Sequence, residues 1–133
     1  MARLTVKALP PDLPRAERLE RILALDGAEC VWCRRALRPG DRQLSLEHVV
    51  PRLKGGPAWA ENEVAACRSC NRRRGHISPA DWLAECERRG LTPNRPAIAA
   101  SLKRLERAIA ERGGQRRARP YLAAQLRRLR ASP

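Results

Sequence analysis

Apolar residues recur at helical spacing over three stretches of the chain. Ala16, Leu19, Ile22 and Leu23 mark one face of a short helix from Pro14 to Leu25, and Asp26-Gly27 closes it. Ile98, Leu102, Leu105 and Ile109 mark a second helix from Ala97 to Arg112. Leu122, Leu126 and Leu129 mark a third, from about Pro120 to Arg130, with Gly113-Gly114 as the break between these two. The middle of the chain has another rhythm. Gln43 to Val50 and Glu63 to Ala66 predict two short strands, with Lys54 to Ala60 as a loop and Pro39-Gly40-Asp41 as a turn before them. Ser69 to Gly75 predicts a basic helix. Ser78 to Arg89 predicts another, capped by Ser78 and with Pro79 in its first turn. Met1 to Lys7 reads as a strand or a loose tail, ended by the prolines at 10, 11 and 14.

Composition adds two constraints. The 133 residues include no Phe, one Tyr and three Trp, so the large apolar side chains are few for one small domain. A core this thin calls for a staple, either disulfides or a structural metal. The second constraint is charge: 28 Lys+Arg stand against 14 Asp+Glu, a net +14, and only Lys7, Lys54 and Lys103 are lysine. Arginine forks pair bidentately with phosphate, so nucleic acid is the partner this surface fits, with affinity that falls as salt rises. Residues 101 to 133 hold ten Lys/Arg and two Glu, so the final helix pair has an apolar face and a cationic one. No secretory leader and no membrane-length apolar run is visible, which excludes a spanning role and points to the cytoplasm. Disulfides are then disfavoured and paired cysteines point to metal.

The cysteines fall into two knuckles, Cys30-Val31-Trp32-Cys33 and Cys67-Arg68-Ser69-Cys70, with 33 residues between them. Two such knuckles direct four thiolates to one point and build a closed, tetrahedral zinc site. Thioredoxin-type redox chemistry and unrelated pairs are the alternatives, and a strand-turn-strand unit between two knuckles favours zinc. With no open coordination position, that zinc is structural. Cys86, three and four residues after Leu83 and Trp82 on a helix, reads as a plain core thiol.

Between the knuckles lie Glu47-His48, Pro51, Gly55-Gly56 and Asn62, and Asn71 follows the second knuckle directly. In this order and spacing, with Cys30, Cys33, Cys67 and Cys70, residues 28 to 80 resemble the HNH endonuclease family in its zinc-stapled form. The residue types suit phosphodiester hydrolysis. A neutral imidazole accepts the proton of an attacking water, and Glu47 and Asn71 offer oxygen ligands to a hard cation such as Mg²⁺ or Mn²⁺. The resemblance implies His48 as general base, Glu47 and Asn71 as holders of the catalytic metal, and Asn62 as the brace of the glycine loop. The implied fold is α+β: a ββα-metal core with the four-cysteine zinc site, flanked by an N-terminal helix and a C-terminal helical hairpin. The domain boundaries are an extension over 1–27, the nuclease domain over 28–92 and a basic helical extension over 93–133.

Arg52, Lys54, Arg72, Arg73, Arg74 and His76 are expected to contact the nucleic-acid backbone. His76 lies five residues after Asn71, about 140° around a continuous helix from it. The expected function is metal-dependent cleavage of DNA by a monomer, nicking with little sequence preference and leaving 5′-phosphate and 3′-hydroxyl ends. A ribonuclease on the same scaffold, a non-catalytic zinc module that binds nucleic acid, and a nuclease directed by a protein partner through its C-terminal helices are the rival readings.

Overall fold

The computed structural model describes residues 13–131. The strand-or-tail reading of Met1 to Lys7 lies outside them. A two-stranded antiparallel sheet forms the centre, with β1 at Leu44–His48 and β2 at Glu63–Cys67. Their register pairs Leu44 with Cys67, Glu47 with Val64, and His48 with Glu63. Five helices surround it: α1 at Arg15–Asp26, α2 at Arg68–Arg74, α3 at Pro79–Arg88, α4 at Arg95–Arg112 and α5 at Ala118–Ala131. This is an α+β fold with an N-terminal helix and a C-terminal helical hairpin, as the sequence pattern and the resemblance imply.

The elements end where their residues say they should. Ser78 accepts a hydrogen bond from the Asp81 amide at 3.2 Å and Pro79 opens α3, so this helix begins on a side-chain cap. Asn94 caps α4 in the same way through the Ala97 amide, with Pro96 in the first turn. A short irregular unit precedes β1, in which Glu29 bridges Ala36 and the Leu37 amide bonds back to the Ala28 carbonyl. The Val31 amide then donates to the Ala65 carbonyl at 3.1 Å, which ties the first cysteine knuckle to β2.

One continuous core runs from Leu19 to Leu129. Helix α4 supplies Ile98, Leu102, Leu105 and Ile109, all buried, and each fully buried aliphatic side chain contributes about 1.5–3 kcal/mol. It lies against β2 and the 3-10 turn at Ala60–Asn62, while α5 packs on α4 and α3. Two ion pairs pin α4 to the N-terminal half of the chain: Arg104 to Asp26 at 3.0 Å, and Arg112 to Glu61 at 2.8 Å. The region 93–133 therefore shares its apolar interior with residues 19–92. Among the described residues no helix is long and apolar enough to cross a membrane.

Candidate active site and metal centre

Cys30, Cys33, Cys67 and Cys70 converge, with their four sulfurs within 4.8 Å of one another. The sequence builds this convergence from two different elements. Cys30 and Cys33 sit on the tight turn before β1. Cys67 is at once the last residue of β2 and the cap of α2, where its sulfur accepts from the Cys70 amide at 3.4 Å. Metal-free, the four thiols share charge unequally. A hydrogen bond from the Cys70 thiol holds Cys30 down at about 5, while burial pushes Cys33 up to about 11. Four sulfurs gathered this closely, three of them on buried residues, suit a soft dication such as zinc. Cys86 takes no part. It is fully buried on the inner face of α3, and burial raises its thiol to about 12.

A cleft of about 240 Å³ is lined by Glu47, His48, Arg52, Asn71, Arg74 and His76 among others. Consecutive strand residues ordinarily face opposite ways. Glu47 and His48 nevertheless share this cleft, because His48 is the final residue of β1 and the chain bends at Val49-Val50. Ser45 and Glu47, two apart, face α2. Asn71 donates its Nδ2 to Ser45 Oγ at 2.7 Å, which leaves Oδ1 as the oxygen it can offer elsewhere.

Glu47 is the most constrained of these side chains. Its Oε1 accepts from Trp32 Nε1 at 2.8 Å and from Arg74 Nη1 at 2.5 Å, whereas Oε2 is buried without a hydrogen-bond partner. Burial pulls its carboxyl above the usual range, and the Arg74 charge works against that. An orphaned carboxylate oxygen beside the amide oxygen of Asn71 fits a hard divalent cation better than it fits an apolar interior. Arg74 itself is 2% exposed. Its guanidinium donates to Glu47, to the carbonyls of His48, Val49 and Ile77, and lies 5.2 Å from the Trp32 ring centroid. The expectation of a phosphate contact does not hold for Arg74, because these partners enclose it. Arg72 and Arg73, two and one residues earlier, are exposed.

His48 is half-buried, and burial together with the charges of Arg52 and Arg18 holds its imidazole below the ordinary value. The uncharged form of the ring, the one that can act as a base, is thereby favoured. Asn62, fully buried, accepts from the Val50 amide at 2.9 Å and donates to the carbonyls of Val50 and Pro57 at 2.9 and 3.0 Å. That clamps the ends of the 50–57 loop directly after His48. Gly56 makes the clamp feasible, since a Cβ there would lie 1.8 Å from the Val50 carbonyl oxygen. Arg52 and Lys54 project from this loop, exposed. The helical-wheel placement of His76 fails for a simple reason: α2 ends at Arg74 and Gly75 turns the chain at φ 54°. His76 instead lies exposed in that turn, on the rim of the cleft.

Two participants escaped sequence reasoning, Trp32 and the buried role of Arg74. Helical spacing did carry a signal for the second, since Arg74 follows Cys70 by four residues and so shares its inward face.

Residues 30–83, which span the two knuckles, the hairpin, α2 and the first half of α3, match the model of the HNH endonuclease family. That family supports a nuclease-type function and implies a nucleic-acid substrate. Among solved structures, the crystal structure of the Type II-C Cas9 enzyme from Actinomyces naeslundii is similar at 21% identity and a TM-score of 0.49. The alignment covers 87% of this chain and 11% of that one, so this chain spans about a tenth of its length. No curated protein matches the chain.

Proposed function

We propose that the protein is a metal-dependent endonuclease that hydrolyses phosphodiester bonds in DNA, with His48 as general base. The observation that carries this reading is the cleft in which a neutral imidazole, the unpartnered Glu47 Oε2 and the Asn71 amide oxygen are gathered. Glu47 and Asn71 would hold a divalent cation such as Mg²⁺ or Mn²⁺, which when bound neutralises phosphoryl charge and stabilises the departing 3′ oxygen.

The protein's own groups divide the remaining work. The lowered imidazole of His48 takes a proton from the attacking water without first having to lose one of its own. Asn62 fixes the backbone that follows His48, and Arg74 fixes the carbonyls of His48 and Val49, so the ring enters the cleft from a rigid base. Arg74 and Trp32 occupy Oε1 of Glu47 and keep the carboxylate turned so that Oε2 stays available. Cleavage on the leaving 3′ oxygen yields 5′-phosphate and 3′-hydroxyl ends. One such centre per chain cuts one strand, so a monomer nicks. Exposed groups around the cleft are cationic, which favours backbone contacts over base readout and hence weak sequence preference.

The test is incubation of supercoiled plasmid with wild type and His48→Ala, each with Mg²⁺, Mn²⁺ or no added metal. Wild type should give open circles before any linear product, His48→Ala none. Intact plasmid under every metal, with DNA still bound, would overturn catalysis in favour of a binding module. Cleavage of RNA in preference to DNA would reassign the substrate.

A further inference from the structure

The sequence places a second arginine cluster, Gly113-Gly114-Gln115-Arg116-Arg117-Ala118-Arg119, between α4 and α5, far along the chain from the HNH segment. The fold brings it back to the active-site loop. Arg117 Nη2 donates to the Leu53 carbonyl at 2.7 Å. The backbone there is packed so closely that a Cβ on Gly55 would stand 2.7 Å from Arg117 Cβ and 3.2 Å from the Ala118 amide nitrogen. Gly55 has φ 88°, a conformation glycine adopts without strain, so the loop is shaped to receive this turn. Arg52, which lines the cleft beside His48, Lys54, Arg116, Arg117 and Arg119 thus belong to one edge of the molecule.

The charge on that edge is not neutralised internally. Arg52, Lys54, Arg116, Arg117 and Arg119 are all exposed, and none forms an ion pair with an acid among the described residues. Of the neighbouring acids, Glu63, which pairs across the strands with His48, is held by Arg18, and Glu61 by Arg112, while Glu106 lines a groove with Arg119 without an ion pair between them. Helix α2, whose Asn71 and Arg74 line the cleft, carries Arg72 and Arg73, also exposed and without an ion pair among the described residues. Cations on the loop, the α4–α5 turn and this helix fit a polyanion, not a single small anion.

We infer that the α4–α5 turn, together with Arg52 and Lys54, is a docking edge for the phosphate backbone of duplex DNA, holding the strand beside the cleft. Aromatic side chains decide between duplex and single strand. Single-stranded binders offer aromatic platforms on which unpaired bases stack. Here Trp32 and Trp82 are buried, Trp59 lies beneath Arg112 with 4.5 Å between guanidinium and ring, and Tyr121 is half-buried. No stacking platform is presented, whereas arginine forks at fixed positions suit a regular backbone.

The inference rests on the nuclease reading for the position of the substrate, but binding is measured without cleavage. The full zinc-loaded chain, with no other divalent metal added, is titrated onto a labelled 30-base-pair duplex and onto the matching single strand at several KCl concentrations. Arg116→Gln/Arg119→Gln removes two charges whose side chains make no hydrogen bond within the described fold. Arg127→Gln/Arg130→Gln, about 16 Å away along α5, serves as the charge-matched control. The first pair should lower the magnitude of the slope of log affinity against log salt by about 1.8, near 0.9 per phosphate contact, and weaken duplex binding roughly tenfold or more. The control should leave the slope unchanged. Equal losses in both pairs would show diffuse attraction and overturn the edge, and a single strand bound as tightly as the duplex would overturn the partner. Duplex binding with the stated slope change but no cutting at any metal would sink the nuclease reading and leave the edge standing.

Discussion

Arg74 and Glu47 meet at 2.5 Å with side-chain exposures of 2% and 4%, a fully enclosed ion pair linking the helix after the second knuckle to the strand before the active-site loop. Such a pair stabilises little in net terms, because desolvating two charges offsets their attraction. What it supplies is orientation, since one guanidinium reaches the carboxylate and the successive carbonyls of His48 and Val49. Breaking it from one side is another matter. Arg74→Met leaves a buried, uncompensated carboxylate and should cost about 3–5 kcal/mol in urea unfolding. Adding Glu47→Gln to that variant should return part of the loss. A double variant no more stable than Arg74→Met would show that the pair is not what holds these elements.

Trp32→Phe keeps an aromatic ring in the knuckle and deletes one of the two donors to Glu47 Oε1. A hydrogen bond to a charged group is worth about 1.5–3 kcal/mol, so Mn²⁺ affinity should fall roughly tenfold or more. Bound zinc should remain at one per chain. Electron paramagnetic resonance titration reads the first and elemental analysis the second. Unchanged Mn²⁺ affinity would separate the knuckle from the catalytic carboxylate.

Protonation of His48 should govern the acid limb of the rate profile. Burial, then Arg52 and Arg18, hold the imidazole low, so the neutral form persists below the ordinary midpoint of about 6.5. The base is active above its own midpoint and lost as pH falls through it. Activity should therefore be retained at pH values where an unperturbed histidine is already half charged. Arg52→Gln removes one cation and should move the midpoint up, which proton NMR of the His48 ring reads without reference to cleavage. A midpoint at or above 6.5 in wild type would contradict the electrostatics.

Gly56→Ala places a methyl group 1.8 Å from the Val50 carbonyl oxygen and 2.8 Å from Asn62 Nδ2. The loop cannot keep its hydrogen bonds with that atom present. Thermal unfolding should show a lowered midpoint, and nicking should drop with it. Gly40→Ala, where a Cβ meets nothing within 4 Å but φ is 86°, is the milder control, with strain of about 1 kcal/mol.

Removing zinc should be the most damaging change of all. Cys67→Ser, or a strong chelator, takes away the joint between sheet and α2, and far-UV and near-UV circular dichroism should both change. Retention of the native spectra in a chain shown to be metal-free would remove the structural role.

Much of this was legible because local chemistry and tertiary structure agree. The two knuckles announced the sulfur cluster by spacing alone, Ser78-Pro79 announced the start of α3, and leucine and isoleucine periodicity drew α1, α4 and α5 to within a few residues. The strand ends were less sharp: β1 stops at His48, not Val50, because Asn62 takes the Val50 amide out of the ladder. Other features depend on long-range pairing that no local pattern encodes. Arg74 reads as one of three surface arginines until the sheet covers it. Trp32 is only a spacer of the first knuckle in the sequence, and its indole N–H finds a carboxylate fifteen residues on. The arrival of Arg117 beside Leu53, separated by 64 positions, is invisible without the packing of α4.

Cys67 ends the second strand and caps the helix that follows, with no residue in between. There is consequently no slack at that junction. Inserting a single amino acid after it would turn the helix by about 100° and slide it by about 1.5 Å, carrying residues 71 and 74 off the face they serve. Changes in length can be absorbed in the turns at 38–41 and 113–116. At the sulfur hinge, the register of the chain is as fixed as the identity of its side chains.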